Sequence, residues 1–398
     1  MLPLAYGRAA GEKRGRPELA DIFRSHGESY RRAHCLPPSH LKVMRAVEVC
    51  RTQVLGGHLK KCDTCGFEHP TYNSCRNRHC PKCQSLAKVK WLQKQTAELL
   101  PVGYFHLVFT LPHELNRLIL ANKKILLALL FKAVSETLLE FGHTRFKGTL
   151  GIIAVLHTWD QMIKDHFHLH CLIPAGVLSF DQSRWMAARK NFLFPVTALS
   201  IVFRGKFLDL LKEASEQGKL KSLAQTASAE SVKIKRLRKK NWVVYAKKPL
   251  GSPQTVLDYL GRYTHRVALS NNRILKVENG EVLLSYRDRK DGDRKKTLPL
   301  EAEEFIRRFL LHVLPQRFMR IRHFGFLANR SKKQALTQCR KLLGLGPILP
   351  QSPNQSVKDL LLKITGIDLS RCPCCHNGTM IVIGELPPLP PSPRKDSS

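Results

Sequence analysis

The spacing of apolar and polar positions predicts strands in several parts of the chain. Residues 104–112 (YFHLVFTLP), 148–159 (GTLGIIAVLHTW) and 166–178 (HFHLHCLIPAGVL) are compact runs of apolar, β-branched and aromatic residues, which are typical of buried strands. The last two runs are separated only by DQMIKD, which predicts a hairpin. Residues 282–300 (VLLSYRDRKDGDRKKTLPL) carry a second hairpin signal, with KDGD at the turn. We therefore expect an antiparallel sheet.

Helical spacing of apolar residues predicts helices around these strands. Pro101 ends one of them, and Ser252 with Pro253 forms the start of another, as an N-cap followed by proline at the first helical position. Helices are expected at 18–34, 39–52, 86–100, 113–142, 252–269, 301–315 and 329–344, and residues 181–230 also look helical. Helices segregated from an antiparallel sheet define an α+β protein.

Shifts in composition divide the chain into expected parts. The C-terminal stretch ELPPLPPSPRKDSS is rich in proline and is expected to be disordered. The parts are a basic N-terminal helical segment (1–36), a zinc-binding domain (37–95), a main α+β domain (100–330) with a helical insertion at about 181–235, a C-terminal helical region (331–370), and a cysteine cluster with the disordered tail (371–398).

The charge balance indicates a polyanionic partner. The 398 residues include 66 Lys and Arg against 31 Asp and Glu, a formal net charge of +35. Nucleic acid binds such a basic surface favourably, because each phosphate that a Lys or Arg neutralises releases counterions. The alternative is a solvated basic surface, as in ribosomal proteins. The chain lacks the run of about 18 apolar residues that spans a bilayer, and its N-terminus lacks an apolar signal segment. We expect no membrane association, a cytoplasmic location and reduced cysteines.

The spacing of four cysteines predicts a structural zinc site. Cys62, Cys65, Cys80 and Cys83 form a C-x2-C-x14-C-x2-C pattern. Two such pairs complete the closed tetrahedral shell of structural Zn²⁺, which leaves no position for a substrate. Nearby residues could change the ligand set: His58, Cys75 and His79.

A second, smaller cysteine cluster occurs near the C-terminus. Cys372 and Cys375 in CPCCH could form half of a zinc site, but nothing close to them in the sequence completes it. An exposed group of thiols is the alternative.

Three histidines alternate along the third strand. His166, His168 and His170 point to one face because side chains two residues apart in a strand share a face. A histidine pair alone is more often a packing feature than a metal site. The segment DYLGRYTHR supplies a second element, since Tyr259 and Tyr263 are four residues apart and share one face of a helix. For this pair alone, an aromatic stripe in the core is the alternative.

Histidines, tyrosines and excess positive charge together suggest a DNA strand-transfer chemistry. A divalent cation on the histidines would polarise a phosphate and stabilise the developing negative charge. A tyrosine hydroxyl would displace a 3′-oxygen and become linked to the 5′-phosphate, which keeps the bond energy for rejoining.

At these residues the chain resembles the HUH-type, two-tyrosine rolling-circle transposases of bacterial insertion sequences. The resemblance covers about residues 40–330 and rests on six stretches. They are GGHLKKCDTCGFEHPTYNSCRNRHCPKCQ, HLVFTLPHEL, LHTWDQ, HFHLHCLIPAG, WVVYAKKPLGSPQTVLDYLGRYTHRVALSNN and RFMRIRHFGFLANR. Conjugative relaxases and replication initiators share the histidines and tyrosine, but are not expected to have the zinc segment.

The resemblance implies a specific active site. His168 and His170 would bind a catalytic Mg²⁺ or Mn²⁺, and Tyr259 and Tyr263 would be the nucleophiles. His166 is a candidate third ligand, with a hydrogen-bonding role behind the ligands as the alternative; His157 and Asp258 are weaker candidates. The implied fold is a ferredoxin-like or RRM-like domain, with the histidines on a central strand and the tyrosines on a facing helix, preceded by the small zinc-binding domain.

The implied partner is single-stranded DNA, at the ends of the insertion sequence and at the target, in the bacterial nucleoid. The candidate DNA-binding residues are Arg262, His265, Arg266, Lys239 and Lys240, and for His265 and Arg266 a purely surface role is the alternative. Trp242 and Tyr245 lie within the basic run and would either stack on bases or pack in a strand. The competing functions are a non-catalytic, zinc-dependent DNA-binding protein and a nickase of the relaxase or replication-initiator type. The oligomeric state is not predicted.

Overall fold

The computed structural model describes residues 16–189, 191–221, 235–250, 255–256, 261, 268–288, 291–346, 362, 368 and 370–390; for Ala97 and Lys248 only the backbone is described. The helices, in chain order, are α1 (Leu19–Ala33), α2 (Pro38–Glu48), α3 (Pro81–Glu98), α4 (Asn116–Ala121), α5 (Lys123–Phe146), α6 (Val196–Glu216), α7 (Ala302–Leu311) and α8 (Lys332–Leu342). Within the described residues, every helix is too short or too polar to cross a membrane.

The strands pair in antiparallel fashion, which confirms the expected α+β class. They are β1 (Gly57–Cys62), β2 (Glu68–Tyr72), β3 (Tyr104–Thr110), β4 (Gly148–Trp159), β5 (Asp165–Pro174), β6 (Gly176–Ser179), β7 (Trp185–Ala187), β8 (Val244–Leu250), β9 (Ile274–Glu278), β10 (Glu281–Asp288), β11 (Arg294–Glu301), β12 (Ile321–Gly325) and β13 (Met380–Leu386).

The largest sheet places the histidine strand at its centre. Its order is β7-β6-β4-β5-β3-β8, and β12 also pairs with β4. β5 therefore lies between β4 and β3, with His168 opposite His157 on β4, and His170 opposite Val108 on β3. Because directly opposed residues share a face, these side chains all project from the same side of the sheet.

The two faces of this sheet have different chemistry. Phe109, Leu156 and Leu169 point to one face and belong to an apolar core that also contains residues of α5 and α6. The opposite face carries the histidines at one end and a second apolar cluster, including Tyr104 and Leu172, at the other. The alternation within HFHLHC thus separates a packed face from a polar one.

The long helix expected at 113–142 is divided in two. Asn122 separates α4 from α5. Its side-chain amide donates to the carbonyl of Lys221 (3.2 Å) and accepts from the Lys221 N–H (2.7 Å). An asparagine amide competes in this way with helical hydrogen bonds, so the helix breaks here.

The expected helical segment at 181–235 begins with a strand instead. Gly176, Val177 and Leu178 pair with β7, and the helix α6 starts only at Val196. Residues 222–234 lie outside the described part of the chain.

The zinc region contains a strand from the far end of the sequence. β13 pairs with β1, so this small sheet has the order β13-β1-β2. Glu385 and Leu386, expected in the disordered tail, belong to β13 instead. Regular pairing with β1 satisfies their backbone groups, which the local, proline-rich composition does not predict.

The N-terminal helices pack against residues far along the chain. Residues of α1 and α2 share a buried cluster with residues of α7 and of the sheet β9–β11. Phe23 and Phe309 meet edge to face, with ring centroids 5.6 Å apart. This contact ties the start of the chain to the region that follows the main sheet.

Candidate metal centres and active site

Three buried histidines converge on the polar face of the main sheet. The ring nitrogens of His157, His168 and His170 can supply one ligand atom each, and these atoms lie within 4.8 Å of one another. All three side chains are well buried, with exposures of 5%, 8% and 8%. Buried imidazoles grouped at this spacing suit a single metal ion.

Hydrogen bonds behind the rings orient two of these histidines. His168 Nδ1 lies 2.9 Å from the carbonyl oxygen of His166, which can only accept, so Nδ1 carries the proton. His170 Nδ1 lies 2.9 Å from His106 Nε2. Burial lowers the pKa of His106 to about 3, so its ring is neutral at pH 7 and can accept this bond. Carbonyl or imidazole partners of this kind commonly fix the tautomer of metal-binding histidines.

This arrangement leaves two Nε2 atoms facing each other. The Nε2 atoms of His168 and His170 are 3.1 Å apart. If both rings carry their proton on Nδ1, both facing nitrogens present lone pairs. A cation between them turns that repulsion into ligation, so the donor set fits a metal ion.

His166 does not join the cluster, although it has the correct strand parity. Its side chain is exposed, and its backbone carbonyl orients His168 instead. His157 takes the third position because β4 pairs with β5 so that His157 lies directly opposite His168. His106 was not singled out from the sequence. Its parity within YFHLVFT places it on the histidine face, but only the β3–β5 register brings it to His170.

The expected nucleophiles lie outside the described residues. These are Tyr259 and Tyr263, and the same holds for Asp258, Arg262, His265 and Arg266. Helical residues of the same segment are described at 255–256 and 261. Val256 is fully buried and belongs to the cluster of Tyr104 and Leu172, on the histidine face of the sheet.

The edge strand β8 adds an aromatic and a basic side chain to the histidine face. Tyr245 pairs with Val108, which in turn is opposite His170, and Lys247 pairs with His106. Tyr245 is 52% exposed. Trp242 is different: it is buried against Phe203 and donates from Nε1 to the carbonyl of Leu237, so the core alternative applies to it.

The two candidate lysines before β8 are exposed. Lys240 forms an ion pair with Glu114 at 2.5 Å, whereas Lys239 lies on a short helical turn that faces solvent.

The cysteines of the zinc region form two clusters rather than one. Cys80 and Cys83 group with Cys50 and Cys75, with Sγ–Sγ separations of 3.6 to 3.7 Å. Four sulfurs around Zn²⁺ at about 2.3 Å would be about 3.8 Å apart, so this cluster has the dimensions of a closed zinc site. His79 is close in sequence but does not belong to the cluster.

Cys62 and Cys65 lie in the other cluster, with Cys372 and Cys375. The Sγ–Sγ separations here are 3.7 Å between Cys62 and Cys375 and 3.6 Å between Cys65 and Cys372. The prediction of a single zinc site formed by Cys62, Cys65, Cys80 and Cys83 is therefore wrong, because these cysteines belong to two separate clusters. The reason is the β1–β13 pairing, which brings the C-terminal cysteines beside β1 and separates the two expected halves.

Backbone N–H groups donate hydrogen bonds to two sulfurs of this second cluster. Cys62 Sγ accepts from the N–H of Thr64, and Cys375 Sγ accepts from the N–H of Gly378 at 3.3 Å. The Gly378 and Asn377 N–H groups lower the pKa of Cys375 to about 6. A Cβ at Gly378 would come within 2.3 Å of Cys62 Sγ, so this turn requires glycine.

Two family models match the chain. One, described as "Transposase zinc-binding domain", matches residues 22–111, and the other, described as "Putative transposase", matches residues 151–335. The first range contains Cys50, Cys75, Cys80 and Cys83. The second contains His157, His168 and His170.

Relatives extend over nearly the whole chain. "Putative transposase y4qJ" of Sinorhizobium fredii (strain NBRC 101917 / NGR234) is 47% identical over 381 residues, which cover 93% of this chain and 96% of that protein. "Transposase for insertion sequence element IS801" of Pseudomonas savastanoi pv. phaseolicola is 28% identical over 338 residues, 82% of this chain and 79% of that protein. No solved structure shows significant similarity to the chain.

Proposed function

The chain belongs to the family of insertion-sequence transposases with an IS91-type zinc-binding domain, and from that premise we propose that it nicks and rejoins single-stranded DNA at insertion-sequence ends. The covalent intermediate is a 5′-phosphotyrosine, and the element moves by a rolling-circle route. The observation that carries this proposal is the buried cluster of His157, His168 and His170 on the central strands of the main sheet. We assign this sheet to the ferredoxin-like HUH fold.

The three histidines are the residues that would hold the catalytic metal. His168 and His170 present their Nε2 atoms, because the carbonyl of His166 and the ring of His106 bind the opposite nitrogens. When bound there, Mg²⁺ or Mn²⁺ supplies positive charge that polarises the scissile phosphate. A donor set of three imidazoles suits Mn²⁺ better than Mg²⁺, which prefers oxygen ligands.

Tyr259 and Tyr263 are the proposed nucleophiles. They follow Val256 by three and seven residues, the spacing of one helix face, and Val256 packs on the histidine face. One tyrosine oxygen forms a bond to phosphorus as the bond from phosphorus to the 3′-oxygen breaks. The tyrosine loses its proton and the released strand ends in a 3′-hydroxyl. In the reverse step a 3′-hydroxyl attacks the phosphotyrosine, which rejoins DNA without ATP.

The exposed residues of β8 provide a surface for the bound strand. Tyr245 lies two strands from His170, roughly 9–10 Å at normal strand spacing. Its ring can stack on an unpaired base while Lys247 and Lys239 contact phosphates, which favours single-stranded DNA over duplex. Arg262, His265 and Arg266 remain proposed phosphate contacts, and Lys240 contributes less because Glu114 pairs with it.

Both cysteine clusters are proposed to bind structural Zn²⁺. Four thiolates close the coordination shell, so these ions stabilise the fold rather than take part in the reaction. The cluster of Cys50, Cys75, Cys80 and Cys83 fixes the start of α3. The cluster of Cys62, Cys65, Cys372 and Cys375 fastens β13 to β1.

A nicking assay on labelled single-stranded oligonucleotides that carry the element ends tests this proposal. The full-length protein is expected to cleave in Mn²⁺, and the His168→Ala/His170→Ala double variant is expected to bind the same DNA without cleaving it. His143→Ala, which removes an exposed histidine on α5, is the matched control. Cleavage by the double variant at the parental rate contradicts the metal assignment. Binding without cleavage by the parental protein supports the non-catalytic alternative.

A further inference from the structure

A cavity of about 340 Å³ lies next to the histidine cluster, between α3, the end of β4 and β12. Its lining includes Arg78, Lys94, Arg320 and Lys332, whereas none of its described lining residues is acidic. Lys332 is neutralised from outside the cavity, by Glu98 at 2.7 Å. Among the described residues that line the cavity, basic side chains therefore outnumber acidic ones.

Only one of the two terminal nitrogens of the Arg78 guanidinium donates a hydrogen bond to another described residue. Its Nη1 donates to the carbonyl of Phe318 at 2.8 Å. Its Nη2 is buried and finds no hydrogen-bond partner among the described residues, and the same is true of His323 Nε2. Leaving a buried donor on a charged group unpaired costs free energy, so a ligand that accepts from it would be bound favourably.

The second arginine strengthens this argument. Burial and the nearby charge of Arg78 lower the pKa of Arg320 to about 10, which still leaves it charged at pH 7. Two guanidinium groups close enough for the charge of one to act on the other form a place where a single anion can accept hydrogen bonds from both. Phosphate oxygens match the planar fork of arginine and can accept from two N–H groups at once.

The indole ring of Trp159 lies between the cavity and the proposed metal site. Trp159 lines it and also stacks on His157, with ring centroids 4.8 Å apart and an interplanar angle of 17°. Tyr245 lies on the opposite side of the histidines, on β8. A strand crossing the sheet face from β8 over the histidines therefore reaches the cavity next.

We propose that this cavity binds a backbone phosphate of the single-stranded DNA substrate, held by Arg78 and Arg320, with Trp159 against the neighbouring base. The inference rests on the proposed function, because it takes the histidine cluster as the place of cleavage. It adds a subsite that fixes the strand on the β12 side of the scissile phosphate. Stacking on Trp159 is sequence-tolerant, whereas the arginine pair selects only for phosphate.

Inorganic phosphate is the probe for this site. Thermal unfolding of the full-length, zinc-loaded protein is compared in phosphate and in chloride at equal ionic strength. Phosphate is expected to raise the midpoint of the parental protein and of Lys212→Gln, which removes an exposed cation on α6. The shift should be absent in Arg78→Gln and in Arg320→Gln. Arg78→Lys keeps the charge without the fork and should show a reduced shift, which separates phosphate binding from misfolding.

Binding of an oligothymidylate provides the second measurement. Arg78→Gln removes one cation that neutralises a DNA phosphate, so the slope of log K against log salt should become shallower by about 0.7. Lys212→Gln should keep the parental slope. An absent phosphate shift in the parental protein, or a parental shift and slope in Arg78→Gln, would overturn the proposal. Because neither measurement needs metal or tyrosine chemistry, a phosphate shift without DNA cleavage refutes the proposed function alone. Cleavage without the shift refutes this subsite alone.

Discussion

Replacement of His106 tests how the histidine cluster is oriented. The His106 ring is 4% exposed and accepts from His170 Nδ1 at 2.9 Å, so His106→Ala leaves that N–H buried without its partner. His170 can then transfer its proton to Nε2 or rotate, and in either case its ligand lone pair is lost. His106→Gln places an amide oxygen near the same position, so this variant should keep part of the hydrogen bond to His170 and part of the metal affinity.

The magnitude follows from the hydrogen bond that the substitution removes. An unpaired buried donor costs about 1–3 kcal/mol. Loss of a partner behind a metal ligand typically weakens metal binding by about 10- to 100-fold, which corresponds to about 1.4–2.8 kcal/mol. We therefore expect His106→Ala to weaken Mn²⁺ binding by one to two orders of magnitude, with a smaller loss for His106→Gln.

Isothermal titration of the full-length protein with Mn²⁺ measures this difference. Val108→Ala is the matched control, because Val108 lies on the same strand opposite His170 but offers no acceptor. It should bind Mn²⁺ like the parental protein. Equal affinities in His106→Ala and the parental protein, or an equal loss in Val108→Ala, would refute the role assigned to His106.

Three further predictions concern other parts of the molecule. Cys372→Ser/Cys375→Ser should lower the zinc content from about two ions per chain to one, measured by elemental analysis; two ions retained would contradict the second cluster. Tyr259→Phe and Tyr263→Phe should each still form a covalent adduct with a single-stranded end but fail in transposition, and the double variant should form none; a single variant that transposes at the parental frequency would leave one tyrosine as sole nucleophile. Burial lowers the pKa of His312 to about 4, from 6.5 in the unfolded chain. The unfolded state therefore binds the proton first, so the stability present above pH 6.5 is lost as the pH falls towards 4. The melting temperature of His312→Gln should therefore fall less than that of the parental protein between pH 6.5 and pH 4. An identical pH profile in the two proteins would contradict this.

Strand parity predicted which face of β5 carries the histidines, but not which three histidines form the cluster. The alternation within HFHLHC places His166, His168 and His170 on one face, and the structure brings the last two together. The register between neighbouring strands decides the third position, and it selects His157 and excludes His166. A period-two pattern contains no information about which residues of the neighbouring strand lie opposite.

The cysteine pairs show the same division between local and long-range information. Knuckle spacing identified Cys62 with Cys65 and Cys80 with Cys83 as units. It could not identify their partner pairs, because the pairing of β1 with β13 brings Cys372 Sγ to 3.6 Å from Cys65 Sγ across 307 residues of sequence. Similarly, the run WVVY predicted a strand, but only the tertiary structure shows that Trp242 faces the core while Tyr245 is exposed.

The defining step of the proposed reaction is the covalent bond between a tyrosine and the 5′-phosphate of the cleaved DNA. The most direct measurement is mass spectrometry of the protein after reaction with a single-stranded insertion-sequence end in Mn²⁺, followed by proteolysis. We expect a nucleotide attached through its 5′-phosphate to the peptide that contains Tyr259 or Tyr263, and no adduct in the His168→Ala/His170→Ala variant. Cleaved DNA with a free 5′-phosphate and no modified tyrosine would contradict it.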